Sequence, residues 1–157
     1  MMLNRDILIV EDNPADVRLM QEALRTLEPA VSVHVVADGE EALRFLRRQG
    51  SFASAPRPRL IFLDLNLPKA GSRDLLGQIK SKPELRLIPI AILTSSDSEK
   101  DVTDAYELQA NCYLTKAPDL DSFFQIVRWA AYFWLDIATP PPPVPDPVDP
   151  LAFTVGL

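Results

Sequence analysis

Five residues that could act together stand at the ends of short apolar runs. Glu11 and Asp12 follow "DILIV", Asp64 follows "LIFL", Thr94 closes "IAILT" and Lys116 follows "CYLT". If a fold brought these ends to one rim, three carboxylates would repel one another, and each would favour a proton or a cation. Magnesium meets that need, because it takes hard oxygen ligands and keeps several waters. A hydroxyl and an ammonium nearby can hold the oxygens of an arriving phosphoryl group. A cation, a carboxylate nucleophile, a hydroxyl and a lysine together suit phosphoryl transfer onto an aspartate.

The elements that would have to position them are legible in the apolar pattern. Runs at 6–10, 31–38, 59–64, 88–96 and 111–116 read as strands, the first continuous and β-branched enough to be buried on both faces. Segments 15–27, 39–50, 72–80, 98–109 and 120–137 read as helices, with Ser98 at an N-cap and Gly50 as a stop. Strands alternating with helices require crossover connections, so the expected fold is α/β: a doubly wound (βα)5 parallel sheet covered on both faces. In such sheets ligands sit beyond the carboxyl ends of the strands, where all five residues fall.

The bulk composition narrows the class. A chain of 157 residues, 47% hydrophobic and 24% charged, suits one globular domain. A net charge of −6 argues against binding nucleic acid or an anionic membrane. Cys112 is the single cysteine and has no internal partner, as expected in a reducing cytoplasm. The N-terminus offers only a four-residue apolar run after two charges, too short for a signal core or a membrane span. Residues 1–138 read as one domain. Residues 139–157 carry seven of the fifteen prolines and read as a stiff tail whose end, "LAFTVGL", is apolar enough to dock.

Taken in order on successive strands, these motifs resemble the receiver domain of two-component response regulators over residues 4–137. The resemblance implies a flavodoxin-like sheet of strand order 2-1-3-4-5. It makes Asp64 the phospho-acceptor, with Thr94 as switch hydroxyl and Lys116 as the lysine on the phosphoryl group. Mg2+ would be held by Asp12, Asp64 and the backbone carbonyl of Asn66, and by Glu11 through water. Tyr113 stands where the family carries its switch aromatic. The wording of "LIVEDNPADVRLMQEAL", "LDLNLPK", "ILTSSDSEKDV" and "YLTK" is similar to stand-alone receivers paired with bacterial phytochrome histidine kinases. The implied partner is therefore a sensor kinase of phytochrome type whose phosphohistidine supplies the phosphoryl group. His34, mid-strand, reads as structural instead.

Two departures from the family pattern bear on loops. The lysine is followed by Ala117 and only then by Pro118, and a cis bond before alanine would cost about 3 kcal/mol more than a trans one, so the loop holding Lys116 is expected to differ. At the start of the third helix, Gly71-Ser72 replaces Asp-Gly, which leaves that loop's shape open. The last helix is apolar over more than half its circumference, where one sheet contact needs a stripe of roughly 100°. Trp129, Phe133 and Trp134 are the surplus. A homodimer through this helix would bury them, and so would the proline-rich tail folding back.

Rival classes fit less well. A haloacid-dehalogenase-type phosphohydrolase uses similar groups but places Asp-x-Asp after its first strand and covers its substrate with an inserted cap. A flavodoxin-like nucleotide binder wants a glycine-rich phosphate loop, and there are five glycines in all. A degenerate receiver serving as a docking module is the remaining alternative. The expected protein is a signalling phospho-acceptor rather than an enzyme of small-molecule turnover.

Overall fold

The structure is a computed structural model that describes residues 4–68 and 71–142. Its frame is a five-stranded parallel sheet built from β1 (Asp6–Val10), β2 (Ser32–Val36), β3 (Leu60–Leu63), β4 (Ile90–Thr94) and β5 (Cys112–Thr115). Their order is β2-β1-β3-β4-β5, as expected. Side chains alternate between faces along a strand. Ile7, Ile9, Leu60, Phe62, Ala91 and Leu93 accordingly join one core, and Leu8, Val10, Ile61, Leu63, Ile90 and Ile92 the other. Helices α1 (Pro14–Arg25) and α5 (Leu120–Tyr132) close the first core through Met20, Leu24, Phe123 and Val127. Helices α2 (Gly39–Leu46), α3 (Gly71–Ser81) and α4 (Glu99–Glu107) close the second. Covering both faces leaves β1, β3 and β4 with essentially no exposed apolar side chain, which explains why they read as continuous apolar runs.

Register brings the strand ends to one rim. Val10 pairs with Leu63, Leu63 with Ile92, and Thr94 with Thr115. Pairing continues one residue further: the Asp64 amide donates to the Val10 carbonyl at 3.1 Å, and the Lys116 amide to the Thr94 carbonyl at 2.7 Å. Glu11, Asp64 and Lys116 are thus the first residues beyond their strands, each held by a last rung of the ladder, and Thr94 is the final residue of β4.

Several boundaries differ from the expected ones. α2 ends at Leu46 instead of running to Gly50, because Arg47, Arg48 and Gln49 have no apolar face to bury. Arg48 turns the chain with φ 55°, and a 3-10 turn at Gly50–Phe52 packs Phe52 against Phe45 at 5.4 Å between ring centroids. β4 begins at Ile90 because Pro89 has no N–H to give the ladder. α5 widens into a π-helical turn at Phe133–Ile137, closed by the Ala138 amide on the Phe133 carbonyl at 2.7 Å. Arg5 holds that turn by a bidentate contact to Asp136 while also donating to the Pro29 and Ala30 carbonyls. His34 pairs with Asp6 at 2.9 Å on the β2 edge, a structural place. No helix among the described residues is long and apolar enough to cross a membrane. The end of the tail, with "LAFTVGL", lies outside the described residues.

Candidate functional site

Asp64 is buried to 6% exposure at the end of β3, and three groups fix it. The Asn66 amide donates to Oδ1 at 3.0 Å, Lys116 Nζ lies 3.2 Å from Oδ2, and Ser72 Oγ donates to the Asp64 carbonyl. The Ser72 contact ties the start of the third helix to Asp64. Gly71 takes φ +81°, which favours glycine, and α3 starts there with Ser72 turned under Asp64.

Glu11 and Asp12 follow β1, and their carboxylate oxygens lie within 4.8 Å of one another and of Asp64. Glu11 is buried and accepts from the Asn13 amide at 3.2 Å, whereas Asp12 faces solvent. Burial, then the hydrogen bond and charge of Asp64, push the Glu11 carboxyl up to about 8. Burial also works against ionising Asp64, but the bond from Glu11, the Asn66 amide and Lys116 outweigh it and hold Asp64 below the usual value. The two carboxyls are thus driven in opposite directions, Glu11 toward its protonated form and Asp64 toward its ionised one. Three carboxylates drawn this close repel one another, so a divalent cation fits among them, and the all-oxygen donor set suits a hard ion.

Lys116 reaches this cluster although its loop departs from the expected pattern. The cis peptide among the described residues is Glu28-Pro29, so the Lys116-Ala117 bond is trans, and the ammonium still meets Asp64. Its three N–H groups face Asp64, Glu11 at 3.4 Å and Asp16 at 2.8 Å. Burial lowers the lysine pKa, but these carboxylates outweigh it and the net direction is upward.

Thr94 is fully buried, with Oγ1 3.4 Å from Asn66 Nδ2 and 3.5 Å from the Ser96 amide. Tyr113 is half-buried and donates to the Ser96 carbonyl at 2.8 Å. The Ser96 hydroxyl bonds Asp101, and Arg73 bridges from α3 to Asp101 and, at 3.2 Å, to Asp104. The loop after β4 is therefore tied to Tyr113 on one side and to α3 on the other. The aromatics of the last helix divide. Trp129 and Phe133 are 61% and 46% exposed, while Trp134 turns in against the α1–α5 core with its ring edge-on to Phe133.

Three contributors escaped the sequence reading. Asp16 gave no signal beyond being an acid in the first turn of α1; Ser72 was noticed only as a departure; Arg73 gave no signal, because its partners lie 28 and 31 residues away.

Residues 7–128 match the family described as response regulator receiver domain. The chain is 47% identical over 135 residues to Response regulator Rcp1 of Synechocystis sp., covering 86% of this chain and 92% of that protein. The crystal structure of the phosphorylated cyanobacterial phytochrome response regulator RcpA superposes with a TM-score of 0.85 at 47% identity, over 89% of this chain and 100% of that one. The Mn(2+)-bound form of response regulator Rcp1 gives 0.82 at 46% identity, over 88% and 99%.

Proposed function

Because this chain belongs to the response regulator receiver family, we propose that it takes a phosphoryl group on Asp64 from the phosphohistidine of a phytochrome-type sensor histidine kinase and thereby switches its contacts. The observation that carries this reading is the geometry at Asp64: an ionised, buried carboxylate with a lysine ammonium at 3.2 Å and two further acids alongside. In the transfer, an Asp64 carboxylate oxygen forms a bond to phosphorus as the phosphorus–nitrogen bond breaks, and the imidazole leaves. Asp12, Asp64, the Asn66 carbonyl and Glu11 through water would hold a divalent cation, taken to be Mg2+, which would offset negative charge on the phosphoryl oxygens. Lys116 turns an N–H from carboxylate to phosphoryl oxygen, and the Thr94 hydroxyl, now only loosely engaged, swings toward it. Moving Thr94 releases the Ser96 turn, and with it the anchor of the Tyr113 hydroxyl.

Residues 1–138 form the receiver in this reading, and 139–157 a proline-rich appendage. The outer face of α5, with Leu120, Trp129, Tyr132 and Phe133 exposed, supports self-association through that helix. The structural neighbours named as phytochrome and bacteriophytochrome response regulators support the kinase assignment, and the net charge of −6 supports a protein partner over nucleic acid or membrane.

Acetyl phosphate with magnesium tests the site directly. Intact mass should rise by one phosphoryl group in the native chain and not in Asp64→Asn. No adduct, together with no binding of beryllofluoride, would make this a degenerate receiver that works as a docking surface.

A further inference from the structure

Lys116 has its shortest contact with a group that lies outside the acceptor cluster. Asp16 Oδ2 is 2.8 Å from Nζ, nearer than Asp64 at 3.2 Å or Glu11 at 3.4 Å. Asp16 stands in the first turn of α1, and that turn is fixed. Asn13 caps it, its Oδ1 accepting from the Ala15 and Asp16 amides at 2.9 and 3.3 Å, and Pro14 presets its backbone. The Asp16 side chain is 27% exposed and Lys116 12%, so Asp16 lies on the outer side of the ammonium, with Glu11 and Asp64 on the inner side.

We propose that Asp16 is a positioning residue, holding the Lys116 ammonium above the acceptor before and after the phosphoryl group arrives. This deepens the phospho-acceptor reading and rests on it. A lysine side chain has freedom at every bond of its stem, and confining it costs entropy. An ammonium held from outside by Asp16 keeps its remaining donors aimed inward. When the phosphorus–oxygen bond to acetate in acetyl phosphate breaks and the bond to Asp64 forms, those donors pass from carboxylate to phosphoryl oxygen while the contact to Asp16 stays. No loop movement is then needed to bring the lysine to the charge. The tie also explains how Lys116 keeps its place without the proline that would otherwise follow it.

A double-mutant cycle tests this through the lysine itself. Asp16→Asn, close in shape and without charge, should slow Asp64 phosphorylation by acetyl phosphate about three- to tenfold, a modest effect because Asp16 is partly solvated. In a Lys116→Met background the same substitution should add no further loss, and Asp16→Glu should recover part of the native rate. Equal losses in both backgrounds would mean that Asp16 acts through folding or the general field. Unchanged or faster phosphorylation in Asp16→Asn would mean that it is idle or competes for the lysine. Each of these overturns the proposal. A second readout does not need the phosphoryl transfer. Acylation of Lys116 by an amine-reactive ester, followed by peptide mass, should quicken several-fold in unphosphorylated Asp16→Asn. If native protein takes no phosphoryl group, the phospho-acceptor reading fails, and this labelling still decides whether Asp16 holds the lysine: a native rate of labelling says that it does not.

Discussion

Glu11 and Asp64 are chemically alike and adjacent, yet their environments drive them apart. Burial and the neighbouring charge raise Glu11 to about 8, and Asp64 is held low by the bonds it receives. The raised acid has a consequence for stability. Between the ordinary carboxylate value of 4.5 and about 8 the folded, metal-free chain binds more protons at Glu11 than the unfolded chain does. Stability from this group is therefore full below that window and is lost as pH rises through it. Asp64 has the opposite sign, but its contribution is lost only at acid pH, below the window. The melting temperature of metal-free protein should fall from pH 5 to pH 8, and this slope should flatten in Glu11→Gln. A divalent cation must displace the same proton, so its affinity should rise over the same interval. Calorimetric titration in buffers of different ionisation enthalpy should show about one proton released per ion at neutral pH.

Helix ends carry most of what links the site to the rest of the fold. α1 begins on its Asn13 cap so that Asp16 meets Lys116; α3 begins at Gly71 so that Ser72 reaches Asp64; α4 begins on Ser98, which accepts from the Asp101 amide at 3.1 Å. Arg73 joins the last two starts across their surface. Exposed ion pairs add little to global stability, but this one ties two elements next to the loop that the proposed switch would release. Arg73→Ala should leave the melting temperature within about 2 °C while amide exchange through 96–104 quickens several-fold, as read by hydrogen-exchange mass spectrometry. Lys80 is a contrasting tie. It donates to the Arg86 and Ile88 carbonyls and to Asn111 Oδ1, closing the loop between α3 and β4, and burial lowers its pKa to about 8. That residue serves the scaffold, far from the rim.

One molecule leaves the outer face of α5 with large apolar groups in water: Trp129 at 61%, Ile137 at 59%, Leu120 and Tyr132 each at 51%. A single sheet contact is already satisfied by Phe123, Val127, Ala131 and Leu135, so nothing among the described residues accounts for them. If this face joins two copies, Trp129→Glu should convert dimer to monomer in sedimentation velocity without slowing phosphorylation by acetyl phosphate. Trp134→Glu should instead destabilise the fold, because its ring packs against the core. A native chain that sediments as a monomer with and without beryllofluoride would leave the face to another partner.

The order of apolar runs and the residue types that follow them were enough to read the sheet, its parallel sense and the gathering of Glu11, Asp12, Asp64, Thr94 and Lys116 at one rim, since alternation and strand-end position are local properties of the chain. Ser98 as a cap and His34 as a structural group were legible for the same reason. What local pattern could not supply was anything set between elements. Beyond the end of α2, Phe52 folds back on Phe45. The last helix opened into a wider turn because Arg5, 131 residues away, holds Asp136. Asp16 became the nearest partner of Lys116 across 100 residues of sequence. Such pairings depend on how helices dock on the sheet. The distances and burial they create decide which of several ordinary acids is pushed toward its protonated form, which is held low and which lies nearest the lysine.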